Sequence, residues 1–419
     1  MSSRLLRLAL GLTVCMLCAA SVQAESDADA GSAAPLPEPA PERYEPAGFP
    51  VIAGSTDIGL EFGLAATLTR FRAAAKPYLW RLDLLLSTSL KTTDGELGFV
   101  QQAHVLRLDT PQLFGGRLRL DTRLSFERSV NQGYFGLGNG SALDVAPDAS
   151  ETVHEYLFQQ GRVRMIGRVR VGGPWRIAFA GDARYVTPEA YEDSRLAQDL
   201  DASATLAGAR DTALFKLGVG AMYDTRDNEF IPHRGLFYQV GGAATVGTSS
   251  ERLAYGELAA VLAHYIELSS HLTLAARVVS SFLFGKVPFY DLSIGGVFEP
   301  QRMLGGEFGL RGVPQGRYHG PLKLLSNVEL RGWSNRFEWL GQLLRVGATT
   351  FVDLGRLWSR NGLGDDGPGL GLKYGVGAGV FLQWGDAAIF RIDVAYSPDA
   401  RSENPALPLG IYASDGLMF

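Results

Sequence analysis

The chain has 419 residues, a formal net charge of −5 and a mean hydropathy of +0.03. That balance excludes a broad basic footprint for nucleic acid. Past the first two dozen residues no stretch reaches about 18 consecutive apolar residues, so a bundle of membrane helices is excluded as well. A membrane protein of this profile has to cross by strands, of which only alternate residues are apolar.

The N-terminus begins with Arg4 and Arg7, an apolar run over 8–20, and Val22-Gln23-Ala24 where a signal peptidase needs small residues. The expectation is a cleaved secretory signal over 1–24, too short and too quickly followed by polar sequence to be a spanning helix. A lipoprotein reading of Cys18 is disfavoured, because Met16-Leu17 stand where lipidation needs small residues. Both cysteines, Cys15 and Cys18, fall inside this segment. The mature chain therefore has no disulfide, thiolate metal site or cysteine nucleophile. Residues 25–49 carry Pro35, Pro37, Pro39, Pro41 and Pro46 among Ala and Glu. Such a segment cannot bury a core and reads as a periplasmic linker.

From 50 to 419 the patterning has period two. In Arg117-Leu118-Arg119-Leu120-Asp121-Thr122-Arg123-Leu124 the charged residues hold the odd positions. Arginine alternates with apolar residues through Arg162-Val163-Arg164-Met165 and again at Arg168-Val169-Arg170-Val171. Phe390, Ile392, Val394 and Tyr396 form the apolar side of a later segment. In a strand these sets lie on opposite faces, one suited to lipid and one to a wet lumen. A soluble sandwich also alternates, but with shorter strands and the apolar face inward.

Strands are predicted over 58–70, 77–91, 96–109, 116–129, 154–171, 174–187, 212–225, 235–248, 252–267 and 271–286. Five more follow over 321–334, 341–355, 370–383, 386–398 and 409–419. A bacterial barrel needs an even number, so a short first strand is predicted at 49–55. The same parity places the long segments 130–153, 188–211, 287–320 and 356–369 on the outer side and the short turns on the periplasmic side. The expected fold is all-β, a sixteen-stranded antiparallel transmembrane β-barrel occupying 50–419.

The 287–320 connection is long and glycine-rich. It holds Met303-Leu304-Gly305-Gly306, Leu310-Arg311-Gly312-Val313 and Gln315-Gly316-Arg317-Tyr318-His319-Gly320. Before it come Tyr134-Phe135-Gly136-Leu137-Gly138-Asn139, Tyr223-Asp224-Thr225-Arg226-Asp227 and Pro232-His233-Arg234-Gly235. After it come Asn327-Val328-Glu329-Leu330-Arg331 and Phe351-Val352-Asp353-Leu354-Gly355. Glu329 and Asp353 each sit between apolar neighbours, so each faces the lumen.

This ordered series resembles the bacterial surface antigen barrels. They include the outer-membrane barrel-assembly proteins (BamA- and TamA-like), their mitochondrial sorting relative and the two-partner-secretion translocators. The resemblance covers the whole predicted barrel. It implies sixteen strands and a sixth outer loop folded into the lumen, whose tip arginine, here Arg311 next to Gly312, pairs with Glu329 and Asp353. It also implies the cell outer membrane as location, outer-membrane lipid as surroundings, and client outer-membrane or secreted proteins as partners. Val313 departs from the family's aromatic at that position, and 25–49 is too short for a POTRA domain. The role implied is insertion or translocation of proteins or lipids; a passive plugged pore or structural barrel is the alternative.

The remaining candidates read plainly. The six histidines show no ligand spacing, so no metal and no cofactor is expected. Asp224, Arg226 and Asp227 are expected to be a structural charge cluster at a periplasmic turn. No nucleophile and base appear in catalytic order, so no enzyme is expected. Phe419, with Leu417 and Ile411 on one face, resembles the terminal signal by which barrel proteins are recognised for insertion.

Overall fold

The computed structural model describes residues 42–72, 75–93, 96–141, 151–202, 206–248, 251–339, 342–359, 364–384, 388–400 and 408–419. The signal peptide and most of the linker expected from the sequence lie outside the described residues. Sixteen antiparallel strands form the wall. They are β1 Arg43–Ser55, β2 Gly59–Arg72, β3 Ala75–Thr93, β4 Glu96–Leu113, β5 Leu118–Gly133, β6 Glu155–Gly172, β7 Trp175–Ala190 and β8 Thr212–Asp224. The second half comprises β9 Gly235–Gly247, β10 Ala254–Ser269, β11 Leu272–Lys286, β12 Leu322–Trp333, β13 Gln342–Trp358, β14 Lys373–Trp384, β15 Ala388–Tyr396 and β16 Leu409–Asp415. Each pairs with its sequence neighbours, and β1 returns to β16, so the sheet closes.

Alternation sorts the side chains as the sequence implies. On β5, Asp121 is buried inside while Leu124 is 53% exposed on the outer face. On β4, Asp109 is buried and Leu106 and Leu108 lie outside. Closure joins the first strand to the last, as a sheet that crosses hydrocarbon requires, although the joint is brief.

Two boundaries differ from expectation. The first strand starts at Arg43, not at 49, and pairs with the whole of β2 from Arg43 opposite Phe71 to Ser55 opposite Gly59. It thus takes in the end of the proposed linker, including Pro46, and it also carries Pro50. A proline can stand in a strand where its missing N–H faces no partner. Backbone groups point to alternate edges along a strand. The Thr56 N–H donates to Ile411 O of β16 at 3.1 Å. Pro46 and Pro50 share the parity of Thr56, so the edge they blunt is the one facing β16. The last strand ends at Asp415, not at 419. Gly416 adopts φ +80°, outside the strand region, and turns the chain inward.

The closure between β1 and β16 is short. It consists of Gly54 opposite Ala413 and Ser55 opposite Tyr412, leaving the β1 edge from Arg43 to Ala53 without a partner strand among the described residues.

The long loops gather at one rim and knit together. A short helix, α1 Arg195–Ala202, lies in the 191–211 connection, where the sequence was read only as loop. The Tyr134 hydroxyl donates to Asp199 Oδ2 at 2.9 Å. Gly138 N–H reaches His319 O at 2.9 Å, and Gly140 N–H reaches Asp365 O at 2.6 Å. Tyr134, Tyr156, Phe289, Tyr290 and Leu196 pack as one apolar cluster beneath this lid.

Replacing the outward-facing Leu124 by Arg is expected to cost about 2–4 kcal/mol of folding stability, the range for a cation near the bilayer midplane. Urea titration of the barrel refolded in phospholipid vesicles measures it; an unchanged midpoint would contradict the outward assignment.

Candidate functional site

The 287–321 connection enters the barrel instead of standing clear of it. Met303, Leu304, Leu310, Val313 and Tyr318 pack with Val279, Leu325 and Leu357 of the wall. Val313 is fully buried there, so the small residue at the aromatic's place is seated within the apolar contact. At the start of the loop, Arg184 and the Tyr255 hydroxyl both donate to the Asp291 carboxylate. Nothing in the local sequence pointed to this second anchor.

Arg311 lies at the tip with no exposed surface. Its Nε donates to Asp353 Oδ2 at 2.8 Å and its Nη2 to Asp353 Oδ1 at 3.0 Å, a bidentate fork. Its backbone N–H reaches the same carboxylate at 3.1 Å. Nη1 donates to Glu329 Oε1 at 2.6 Å and to Asp393 Oδ2 at 3.1 Å. The guanidinium also lies over the Phe351 ring, 3.3 Å from its centroid. The two acids expected from sequence are thus joined by a third, Asp393 of β15.

Register explains why these groups converge. Asn327 stands opposite Asp353, and Glu329 opposite Phe351, on β12 and β13. Asn327 donates to Asp353 Oδ1 at 2.8 Å and to the loop carbonyl of Gly309 at 3.0 Å. Next to β13, strand β14 contributes Gly375, Gly377 and Gly379. A Cβ on them would meet Arg311 O at 2.0 Å, the Phe351 ring at 2.4 Å and Asp393 Oδ1 at 2.0 Å. This glycine stripe clears the space for loop backbone, aromatic floor and third carboxylate. Its period-two spacing in Gly375-Val376-Gly377-Ala378-Gly379 is the sequence signal by which it could have been found.

Gly312 has φ +87°, and a Cβ there would lie 3.0 Å from the Tyr396 carbonyl carbon. Its N–H donates to the Tyr412 hydroxyl at 2.9 Å. Three residues on, Gln315 N–H reaches Asp57 Oδ2 at 3.3 Å. The loop tip therefore touches β16 and the β1–β2 turn, one on each side of the barrel closure.

Other candidates settle as follows. Among the described residues His319 has no acid partner; it faces the Tyr134 ring at 4.9 Å. Burial, reinforced by the charges of Arg302, Lys323 and Arg317, pushes its pKa down to about 3. Among the described residues no group of histidine, cysteine and acids has metal-site geometry. Asp224 binds Arg226 through Nε and Nη2, both at 3.0 Å, and accepts from Arg176 at 3.2 Å. Asp227 accepts the backbone N–H groups of His233 and Arg234 at 2.9 and 3.2 Å. The cluster folds the 225–234 turn.

Phe419 is not on a face shared with Ile411. Ile411 is 46% exposed on the outer wall, whereas Leu417 packs inside near Trp333, Phe381 and Ile389. Phe419 lies across the lumen, its ring 4.8 and 4.9 Å from the Arg277 and Arg331 guanidinium carbons. Its carbonyl accepts Arg331 Nη2 at 2.9 Å. Arg331 Nε in turn donates to Glu329 Oε2 at 2.8 Å, so tail and loop tip share one acid.

Truncating Arg311 to Ala would leave Glu329, Asp353 and Asp393 facing one another without their common cation. An uncompensated buried pair costs about 3–5 kcal/mol. Loss of heat-modifiable gel migration, or a drop in the unfolding midpoint, is the expected outcome. Arg311→Lys should not restore it, because an ammonium cannot form the planar fork. A variant of normal stability would contradict the lock.

The Omp85 superfamily domain matches residues 86–406. No curated protein matches the chain in sequence. Among solved structures, the chain is similar to BamA from Haemophilus ducreyi lacking POTRA domains 1–3. The TM-score is 0.55 at 13% identity, covering 90% of this chain and 70% of that one. It is also similar to CdiB from Escherichia coli, with TM-score 0.54 at 12% identity, covering 89% of this chain and 62% of that one. At such identities the likeness is one of fold. With the domain match spanning most of the barrel, this chain belongs to the Omp85 superfamily.

Proposed function

We propose that this barrel inserts or translocates client chains across the outer membrane by parting its wall between β1 and β16. The observation that carries the reading is the two-residue closure, Gly54 with Ala413 and Ser55 with Tyr412. Every neighbouring ladder is longer; β1 alone pairs with β2 along its full length. A strand edge with free backbone groups is a template for an incoming strand. The loop tip supports the reading from inside, because Gly312 and Gln315 hold the two sides of the closure through Tyr412 and Asp57. Release of the Arg311 lock would free both contacts at once. The clients are outer-membrane or secreted proteins, and no catalytic residue takes part.

Ala53 and Ser414 are the next residues in register beyond the closure. Ala53→Cys with Ser414→Cys places a disulfide there, and no native cysteine beyond 24 competes. Oxidation is expected to abolish insertion or secretion of clients, and reduction to restore it. Full activity with the wall locked would refute the parting mechanism.

The seated loop also favours a second reading, a plugged passive pore. Deleting 303–319 removes the residues that fill the lumen beside β11–β13. The deletion is expected to raise single-channel conductance in planar bilayers several-fold under either reading. A large conductance without any client phenotype would favour the passive pore; an unchanged conductance would show that the loop does not obstruct the lumen.

A further inference from the structure

Six charged lumen-facing residues lie directly opposite one another across the wall: Asp83, Arg107, Arg123, Arg164, Asp182 and Lys216 on β3 to β8. Four of them are satisfied. Asp83 accepts Arg81 Nε at 2.6 Å. Arg107 Nε donates to Asp121 at 2.6 Å. Asp182 accepts Arg162 Nε at 2.5 Å. Lys216 Nζ reaches Glu257 at 2.7 Å. The remaining two, Arg123 and Arg164, are adjacent and of like charge. Among the described residues neither has a carboxylate partner, and the Nε of each is buried without a hydrogen bond. Arg164 is only 8% exposed.

The loop crosses this spot and is stapled on either side of it. Toward the short-turn rim, Glu299 accepts Arg168 Nη2 at 2.9 Å. Toward the loop rim, Arg302 donates to Gln132 at 2.6 Å and lies 3.7 Å from Glu127. Glu299, Asp121 and Asp182 lie near enough to attract the pair, but their hydrogen bonds go to Arg168, Arg107 and Arg162 in turn, so three acids stand among five arginines.

Like charges directly opposite on neighbouring strands destabilise a sheet. A buried cation without a partner is worse still. Elsewhere in this lumen buried cations have partners of their own: Arg311 has three acids, Lys323 two backbone carbonyls and Arg277 the Asn327 amide oxygen. We propose that Arg123 and Arg164 form an anion-binding site whose ligand is a phosphate group. Two guanidinium forks present parallel N–H donors to four oxygen positions, a match for a tetrahedral oxyanion. Two uncompensated positive charges fit a dianion; a single carboxylate would leave one of them unneutralised. The phosphate comes from a soluble ion or ester passing the lumen, or from a lipid headgroup entering from the wall.

Calorimetric titration of the purified full barrel in detergent separates these sources. Inorganic phosphate is expected to bind saturably at one site per barrel and to raise the unfolding temperature as its concentration rises. Arg123→Gln and Arg164→Gln should each weaken binding at least tenfold, and the double variant should lose it. In phosphate-free buffer neither single variant should be less stable than the parent, since each removes a repulsion. Phosphatidic acid in mixed micelles serves as the second probe. If it binds no more tightly than inorganic phosphate, the soluble source is supported; if it binds far more tightly and depends on the same two arginines, the lipid source is. Absence of binding for both probes, or equal binding by the double variant, would overturn the proposal.

Discussion

The Arg311 guanidinium places a full positive charge at a fully buried point of the barrel interior, and the loop's seat depends on meeting that charge there. Three strands answer it with one acid each: Glu329, Asp353 and Asp393. A fourth, β14, answers with absence, its glycines leaving room for the loop and its partners. Because the carboxylates would repel one another without the arginine, loop and wall stabilise each other and neither arrangement stands alone. The apolar contacts of Leu310, Val313 and Tyr318 then fill what the polar network has positioned.

This interior network also does for the closure what backbone pairing does elsewhere. Along most of the circumference, neighbouring strands are joined by continuous ladders. Between β1 and β16 the ladder is brief, and the side-chain route through Tyr412, Gly312, Gln315 and Asp57 spans the same gap. A wall fastened partly by side chains differs in kind from one fastened by backbone alone. Side-chain contacts can be exchanged singly, whereas a ladder opens from its ends. The inward tail adds a further tie, since Arg331 joins Phe419 to the acid that also receives Arg311.

Much of this was legible in the sequence for a simple reason: a wall one residue thick writes its two faces into alternate positions. The strand series, the long loops on one side and the inward aim of Glu329 and Asp353 follow from that alternation, and the pairing of these acids with Arg311 is what the family resemblance implies. What escaped notice depends on register or on residues without side chains. Asp393 lies in a clear alternating segment, but nothing local says that it points at the loop. The β14 glycines act by vacating space, which no charge or hydropathy pattern reports. A first strand beginning only at 49 falls short because prolines usually argue against a strand, although strand edges, first residues and bulges tolerate them. The adjacency of Arg123 and Arg164 appears only once β5 and β6 are aligned, although both stand in visibly alternating runs. The tail was misplaced because one glycine, Gly416, ends the alternation on which the reading relied.

The prolines of β1 also give its free edge a polarity. On the side facing β16, Pro46 and Pro50 keep their carbonyls but supply no N–H, so acceptors outnumber donors over the stretch beyond the closure. Two copies of this edge brought together would each meet missing donors, which works against self-association of barrels through their most vulnerable side. A foreign strand meets a different bargain: it can zip along the edge only in a register that sets its own donors against the proline carbonyls and tolerates idle acceptors opposite the rings. The same two residues that hinder self-pairing would therefore also restrict the registers in which any added strand could pair.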